Sequence, residues 1–216
     1  MKVEEGKKEL IKEILEWGYC IVIAVVLALV VRYYIGTPTV VQMESMYPTF
    51  KPGERLILNR LAITLGRDIE RGDVITFEAP SYDFKSAAEI DQSNPVAIYN
   101  NEPKNFIKKF AYYVLDINKK SYIKRVIGLP GEYVQIENGS VYIDGQLLNE
   151  EYLPEGLKTE SVIFTEFTVP EGYLFVMGDN RTGSMDGRNF GCIPISKVES
   201  KVWLRFYPFS QFGTDW

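Results

Sequence analysis

The run "WGYCIVIAVVLALVV", Trp17–Val31, holds fifteen consecutive residues without a charge. At 1.5 Å per residue it falls short of a ~30 Å hydrocarbon core. Arg32 can snorkel, and Tyr33, Tyr34 and Ile35 extend the apolar length to about twenty residues, enough to span. Trp17 at one end and the tyrosine pair at the other suit the two membrane interfaces. A cleaved signal peptide would need a small-x-small site after the run, and "VVRYYIGT" has none. A buried core helix would show a polar face, and nothing polar interrupts the run. Lys2, Lys7, Lys8 and Lys12 precede the run, whereas only Arg32 follows closely and the next cation is Lys51. Cations concentrate on the cytoplasmic side. The expected organisation is a cytoplasmic segment 1–16, a transmembrane helix 17–36, and an extracytoplasmic domain 37–216.

Past the run the period changes. "TVVQM", "ERLILNRLA", "GDVITFEAP", "SVIFTEFTVP", "GYLFVMGD" and "KVWLRFYPF" read as short strands. The strongest local signal is "EYVQIENGSVYIDGQLL". Residues 133–136 and 141–143 alternate, with Asn138-Gly139 between them and Asp144-Gly145 after, dipeptides that adopt positive φ at low cost. No long 3.6-period segment follows the anchor. The predicted fold is mostly β: a single N-terminal helix followed by several antiparallel sheets. Residues 81–121 read as an insertion between two strands, polar at first, then basic and aromatic at "FIKKFAYYVL". That loop is either an excursion with its own small apolar cluster or a membrane-surface or substrate contact.

Composition narrows the chemistry. The formal charge is −5, which argues against a nucleic-acid surface. Histidine is absent, which removes Ser-His-Asp and Cys-His catalysis and imidazole zinc sites. Cys20 lies in the apolar run and Cys192 far from it, so a disulfide between them is not expected. Against that background "MESMYPTF", residues 43–50, presents Ser45 shortly after the anchor. A serine nucleophile here needs a base other than imidazole. Lysine is protonated in water, with a pKa near ~10.4, but apolar burial can lower it by ~3–5, at ~1.36 kcal/mol each. A productive lysine should sit in an apolar strand, away from any carboxylate that would pair with it. Lys124 in "YIKRVIGLPGE" fits that pattern, with Tyr122, Ile123, Val126 and Ile127 around it. Arg125 beside it can point to the opposite face. Spacing alone also allows a solvated strand lysine.

Taken together, these stretches resemble the bacterial type I signal peptidases, and more closely their single-anchor Gram-positive members. "SMYPTF" is similar to the family's nucleophile motif, and "RGDVITF", 71–77, to a second. "KRVIGLPG", 124–131, matches the lysine motif throughout. "GDNRTGSMDGR", 178–188, is close to the last. The similarity covers roughly residues 12–209.

The resemblance implies a membrane-anchored serine endopeptidase that removes signal peptides from exported preproteins, needing no metal or cofactor. Ser45 would be the nucleophile and Lys124 its base, with water releasing an acyl-enzyme. The Ser45 backbone N–H would stabilise the oxyanion. Ser184 matches a serine whose hydroxyl helps orient the lysine. Asp179, Arg181, Asp186 and Arg188 match charged supporting positions, with Asp186 paired to Arg188. Cleavage would follow small residues at the first and third positions before the cut, in shallow pockets lined by Val41, Met43, Met46 and Ile123.

The chain also departs from the family pattern. Met43 stands where relatives often carry serine or glycine; it cannot donate to the oxyanion, which leaves more to the Ser45 amide. Gly187 replaces a usual serine, Phe50 stands where leucine is commoner, and the 81–121 excursion is long. Two rival readings are a self-cleaving Ser-Lys repressor protease, which would carry a DNA-binding domain in place of the anchor, and a catalytically silent membrane-tethered relative that binds secreted proteins.

Overall fold

The computed structural model describes residues 2–81, 94–100 and 103–216. Helix α1, Lys2–Val30, continues through a π-helical turn, Val31–Ile35. The charged stretch expected as a separate segment is therefore the first part of the same helix. Its Glu, Lys, Ile and Leu residues are mostly good helix formers, and Lys12 and Glu16 pair along it at 3.9 Å. Glu9–Ile35 is long and apolar enough to cross a membrane, and none of that stretch is buried against the protein.

The helix delivers the chain directly into a seven-stranded antiparallel sheet of order β1-β2-β11-β3-β4-β9-β10. The strands are β1 (Gly36–Val40), β2 (Arg55–Asn59), β3 (Val74–Glu78), β4 (Ser121–Gly128), β9 (Tyr173–Met177), β10 (Ile193–Pro194) and β11 (Val198–Tyr207). The first strand lies three residues earlier than "TVVQM" suggests, because Gly36–Val40 pairs in register with Asn59–Arg55. The ten-residue β11 joins β2 to β3, and two register shifts against β2 bend it.

A second sheet of order β7-β6-β5-β8 comprises β5 (Tyr133–Glu137), β6 (Ser140–Ile143), β7 (Gln146–Leu147) and β8 (Glu166–Thr168). Its central hairpin is the one legible in the sequence. Asn138 and Gly139 take φ of 53° and 80°, and Asp144 and Gly145 take 51° and 76°. The helices between strands are short: α2 (Leu61–Thr64), α3 (Phe106–Tyr113) and α4 (Gly187–Phe190).

The excursion expected at 81–121 falls between β3 and β4, which pair antiparallel. Its residues 82–93 and 101–102 lie outside the described residues. Of the rest, 95–97 runs beside Cys192, with Cys192 N–H donating to Pro95 O (2.6 Å) and Ala97 N–H to Cys192 O (2.8 Å). Three apolar clusters fill the domain. One sits under the small sheet, one under β3, β4 and β9, and the third gathers Val41, Met46, Phe50, Leu56, Leu58, Val74 and Val202 around the Ser45 turn.

Candidate active site

Ser45 lies in a single 3₁₀ turn, Glu44–Met46, between β1 and β2. The turn is held from inside and from below. Met46 and Phe50 are fully buried in the third apolar cluster, and Phe50 N–H donates to Met46 O (2.9 Å). From the far side of the fold, Asn180 N–H donates to Ser45 O (3.1 Å) and Asn180 Nδ2 to Glu44 O (3.1 Å).

Lys124 comes from β4, a central strand flanked by β3 and β9. Its run Lys124–Gly128 is buried residue after residue. Strand side chains alternate, so burial of Lys124 and Arg125 together means that both faces are covered. Lys124 is 3% exposed. Its Nζ donates to Ser45 Oγ at 2.6 Å and to Ile123 O at 3.0 Å. No carboxylate among the described residues forms an ion pair with it. Burial lowers its pKa to about 8, with the nearby Asp186 and Asp179 carboxylates opposing the drop and Arg188 aiding it. Those carboxylates are the reason the fall is smaller than apolar burial alone would produce.

The two aspartates are neutralised by arginines of their own. The β4–β9 register sets Arg125 opposite Met177, two residues before Asp179. Arg125 grips Asp179 with two hydrogen bonds, at 2.9 and 2.7 Å, and both side chains are buried. Thr49 Oγ1 donates to the same carboxylate at 2.5 Å, which links the Ser45 loop to this pair. Asp186 caps α4 in a capping box with Asn189 and takes two hydrogen bonds at 2.9 Å from Arg188. The Gly178 amide also donates to Asp186 (2.9 Å). Arg181 reaches away, to Glu150, Thr159 and Gly178 O. These are bidentate charge-assisted pairs in a dry site, where loss of one partner leaves the other uncompensated.

Gly178 itself sits at a close approach. A Cβ there would lie 2.2 Å from Ser184 Oγ and 2.3 Å from Ser45 O, so only glycine lets the two segments meet. The Ser184 hydroxyl is buried and makes no hydrogen bond among the described residues. Gly187, where the resemblance led to an expected serine, has a physical reason here: a Cβ would meet the Phe175 ring and Val176 O, each at 2.7 Å.

The residues expected at the site are spread unevenly around it. Ser45 and Lys124 are in direct contact, and Asp179, Ser184, Asp186 and Arg188 cluster behind them. Arg181 points to the 150s loop. Of the expected pocket residues, Val41 and Met46 are buried in the core cluster, Ile123 packs against it, and Met43 is 68% exposed. The sequence reading missed Arg125 as Asp179's partner, and missed Thr49, Gly178 and Asn180. All four lie inside the quoted motifs, but only the strand register shows what each touches. No group of metal-ligating side chains occurs among the described residues.

The signal peptidase, peptidase S26 family matches residues 14–207 of this chain. Signal peptidase I T of Bacillus subtilis (strain 168) is 34% identical over 216 residues, covering 96% of this chain and 93% of the relative. Signal peptidase I of Bacillus amyloliquefaciens is 34% identical over 202 residues, covering 90% and 86%. Signal peptidase IB of Staphylococcus aureus (strain COL) is 32% identical over 216 residues, covering 93% of each. On that extent of agreement, running from within the apolar helix to the end of the last long strand, the chain belongs to the signal peptidase, peptidase S26 family.

Proposed function

We propose that this protein removes signal peptides from exported preproteins by a Ser-Lys dyad, Ser45 as nucleophile and Lys124 as general base. The observation that carries the reading is the 2.6 Å contact between Lys124 Nζ and Ser45 Oγ at an amine whose pKa burial lowers to about 8. With that value about a tenth of the lysines are neutral at pH 7, against fewer than ~0.1% in water. The Ser45 Oγ–H bond breaks as its proton passes to neutral Lys124, and Oγ bonds the scissile carbonyl carbon. The negative charge on the former carbonyl oxygen is met by the Ser45 N–H. Amides that open a helical turn have no acceptor within it. Lys124, now an ammonium, gives its proton to the departing amine, leaving an acyl group on Ser45. Water then attacks with Lys124 again as base, and the signal peptide leaves as an acid.

Asp179–Arg125 and Asp186–Arg188 hold the wall behind the lysine in place, each aspartate paired with its own arginine so that neither claims the Lys124 ammonium. Ser184 supplies a hydroxyl beside the dyad. Small residues at the first and third positions before the cut are selected by shallow walls that include the partly buried Ile123, with Met43 at the rim and Val41 and Met46 packed in the core beneath. The anchor holds its N-terminus in the cytoplasm and places the catalytic domain outside, beside substrates still in the bilayer.

Full-length protein in lipid vesicles, mixed with a preprotein carrying alanines at those two positions, tests the reading. Wild type cleaves after the alanine, while Ser45→Ala and Lys124→Ala do not. Cleavage surviving in Lys124→Ala would refute the dyad, and a wild type that binds without cutting would favour the silent relative.

A further inference from the structure

Helix α3 leaves an apolar face uncovered, and its surroundings indicate what covers it. Phe106 and Ile107 are 83% and 80% exposed, and Phe110 is also exposed. At 3.6 residues per turn these three fall within a ~100° arc of the helix. Lys109 borders that arc, Lys108 lies further round the helix towards Tyr112, and both are exposed. The opposite side carries Tyr112, whose hydroxyl donates to Glu78 on β3 (3.0 Å), with Lys119 over its ring. The body of the domain therefore holds α3 by its tyrosine side and turns the Phe-Ile-Phe arc outward.

The second observation places α3 in height. Three residues after α3, Asp116 accepts a hydrogen bond from Arg32 (2.9 Å) and also pairs with Arg60 (3.5 Å). Arg32 is the first charge after the charge-free run of α1, so it marks the surface of the membrane that the helix crosses. Three residues of chain span at most ~10 Å, and the interfacial layer on each side of the hydrocarbon is ~5–7 Å deep. The last turn of α3 is tethered at the level of the lipid headgroups.

We infer that α3 is an interfacial helix: Phe106, Ile107 and Phe110 enter the outer surface of the bilayer, and Lys109 at the border of the arc meets lipid phosphates. An exposed apolar arc with a lysine at its border suits a segment that lies in a membrane surface, where burial and attraction to anionic headgroups add. The helix is then a second point of attachment. With α1 alone the domain could swivel about one stalk, whereas two contacts fix which edge of the sheet faces the lipid.

The inference rests on the single-span anchor of the proposed function, and the protein carries its own control for that. Cys20 is an exposed thiol within the apolar run, while Cys192 is buried with its thiol pKa pushed up, so only Cys20 takes a nitroxide label. A second full-length sample carries Cys20→Ser with Ile107→Cys. Both are reconstituted in phosphatidylglycerol–phosphatidylcholine vesicles, and oxygen and water-soluble nickel chelate compete for the labels. Both labels are expected to meet oxygen more readily than nickel, and Lys109→Gln lowers the preference at position 107. A lipid-protected Cys20 with a water-exposed position 107 overturns the interfacial helix and leaves the anchor standing. A water-exposed Cys20 overturns the anchor and this inference with it. Dipolar broadening of the position-107 label means a second copy of the chain covers the face, and likewise overturns it. Phe106→Ser with Ile107→Ser gives a functional readout: KM rises for a bilayer-inserted preprotein, while kcat/KM on a soluble cleavage-site peptide stays unchanged. An equal loss on both substrates would count against the inference.

Discussion

Lys124 Nζ sits 2.6 Å from Ser45 Oγ, and its other hydrogen bond goes to the carbonyl of its own neighbour, Ile123, at 3.0 Å. Neither acceptor carries a formal charge. The amine is oriented by neutral acceptors, and burial outweighs the more distant Asp186 and Asp179 carboxylates that favour the ammonium.

The first prediction is a pH–rate profile. kcat/KM on a soluble cleavage-site peptide rises tenfold per pH unit below about 8 and levels off above it, since the active form is the neutral amine. Lys124→Arg, which cannot deprotonate, gives no measurable rate at any pH. A limb centred near the ordinary lysine value would sink the assignment.

The same lowered value makes a stability prediction. The folded pKa of Lys124, about 8, lies below the unfolded 10.5. Between the two, the unfolded chain holds a proton that the native state lacks, so stability rises with pH across that window. Below pH 8 the whole penalty is present, about 3 kcal/mol. Lys124→Met is therefore more stable than wild type at pH 7, by up to that amount less its lost hydrogen bonds. The advantage shrinks as pH climbs from 8 towards 10.5. Denaturant titrations at pH 7 and pH 10 measure it, and a gap independent of pH would contradict it.

Ser184 separates activity from stability. Its hydroxyl is buried without a partner, which costs about 1–3 kcal/mol. Ser184→Ala is expected to keep or raise Tm while lowering kcat by ~10–100-fold through loss of a group beside the dyad. A fall in Tm with kcat intact would mean the hydroxyl is structural.

Asp179→Ala leaves the Arg125 guanidinium buried and unpaired. It should cost about 3–5 kcal/mol in denaturant unfolding. Asp179→Leu combined with Arg125→Met should recover most of that, because the desolvated charge is gone. If the double variant is as unstable as the single, the ion pair is not the cause.

Gly187→Ser should destabilise this protein by about 1–3 kcal/mol through its clash with Phe175 and Val176 O. Thermal unfolding of the single variant, and of the same variant with Phe175→Ala, checks the pairing: the smaller side chain should lessen the effect of the serine.

Much of this was visible in the sequence where the signal is local. The long apolar helix showed as a charge-free run and the β5–β6 hairpin as two positive-φ dipeptides, while Lys124 stood out as an amine amid Ile and Val whose burial the spacing left open. What stayed hidden depends on which strands become neighbours. In the sequence Arg125 reads only as pointing to the face opposite Lys124; the β4–β9 register, with Met177 opposite it, shows that it is buried on Asp179. Gly187 looked like a loss relative to the family, and only the Phe175 ring beneath it makes it a fit. The expected start of the first strand was late because Gly36-Thr37-Pro38 carries little strand propensity, and pairing with β2 overrides that.

The contact between Ser45 and Lys124 joins residues 79 apart in the chain, and the carbonyl of Ser45 is tied to Asn180, further on again. During synthesis the hydroxyl is therefore made long before the amine that would activate it, and longer still before the loop that pins its turn. A ribosome-bound fragment carries an inert serine. On the proposed dyad, a working site exists only once residues 124 and 180 have been made and have joined the turn at residue 45.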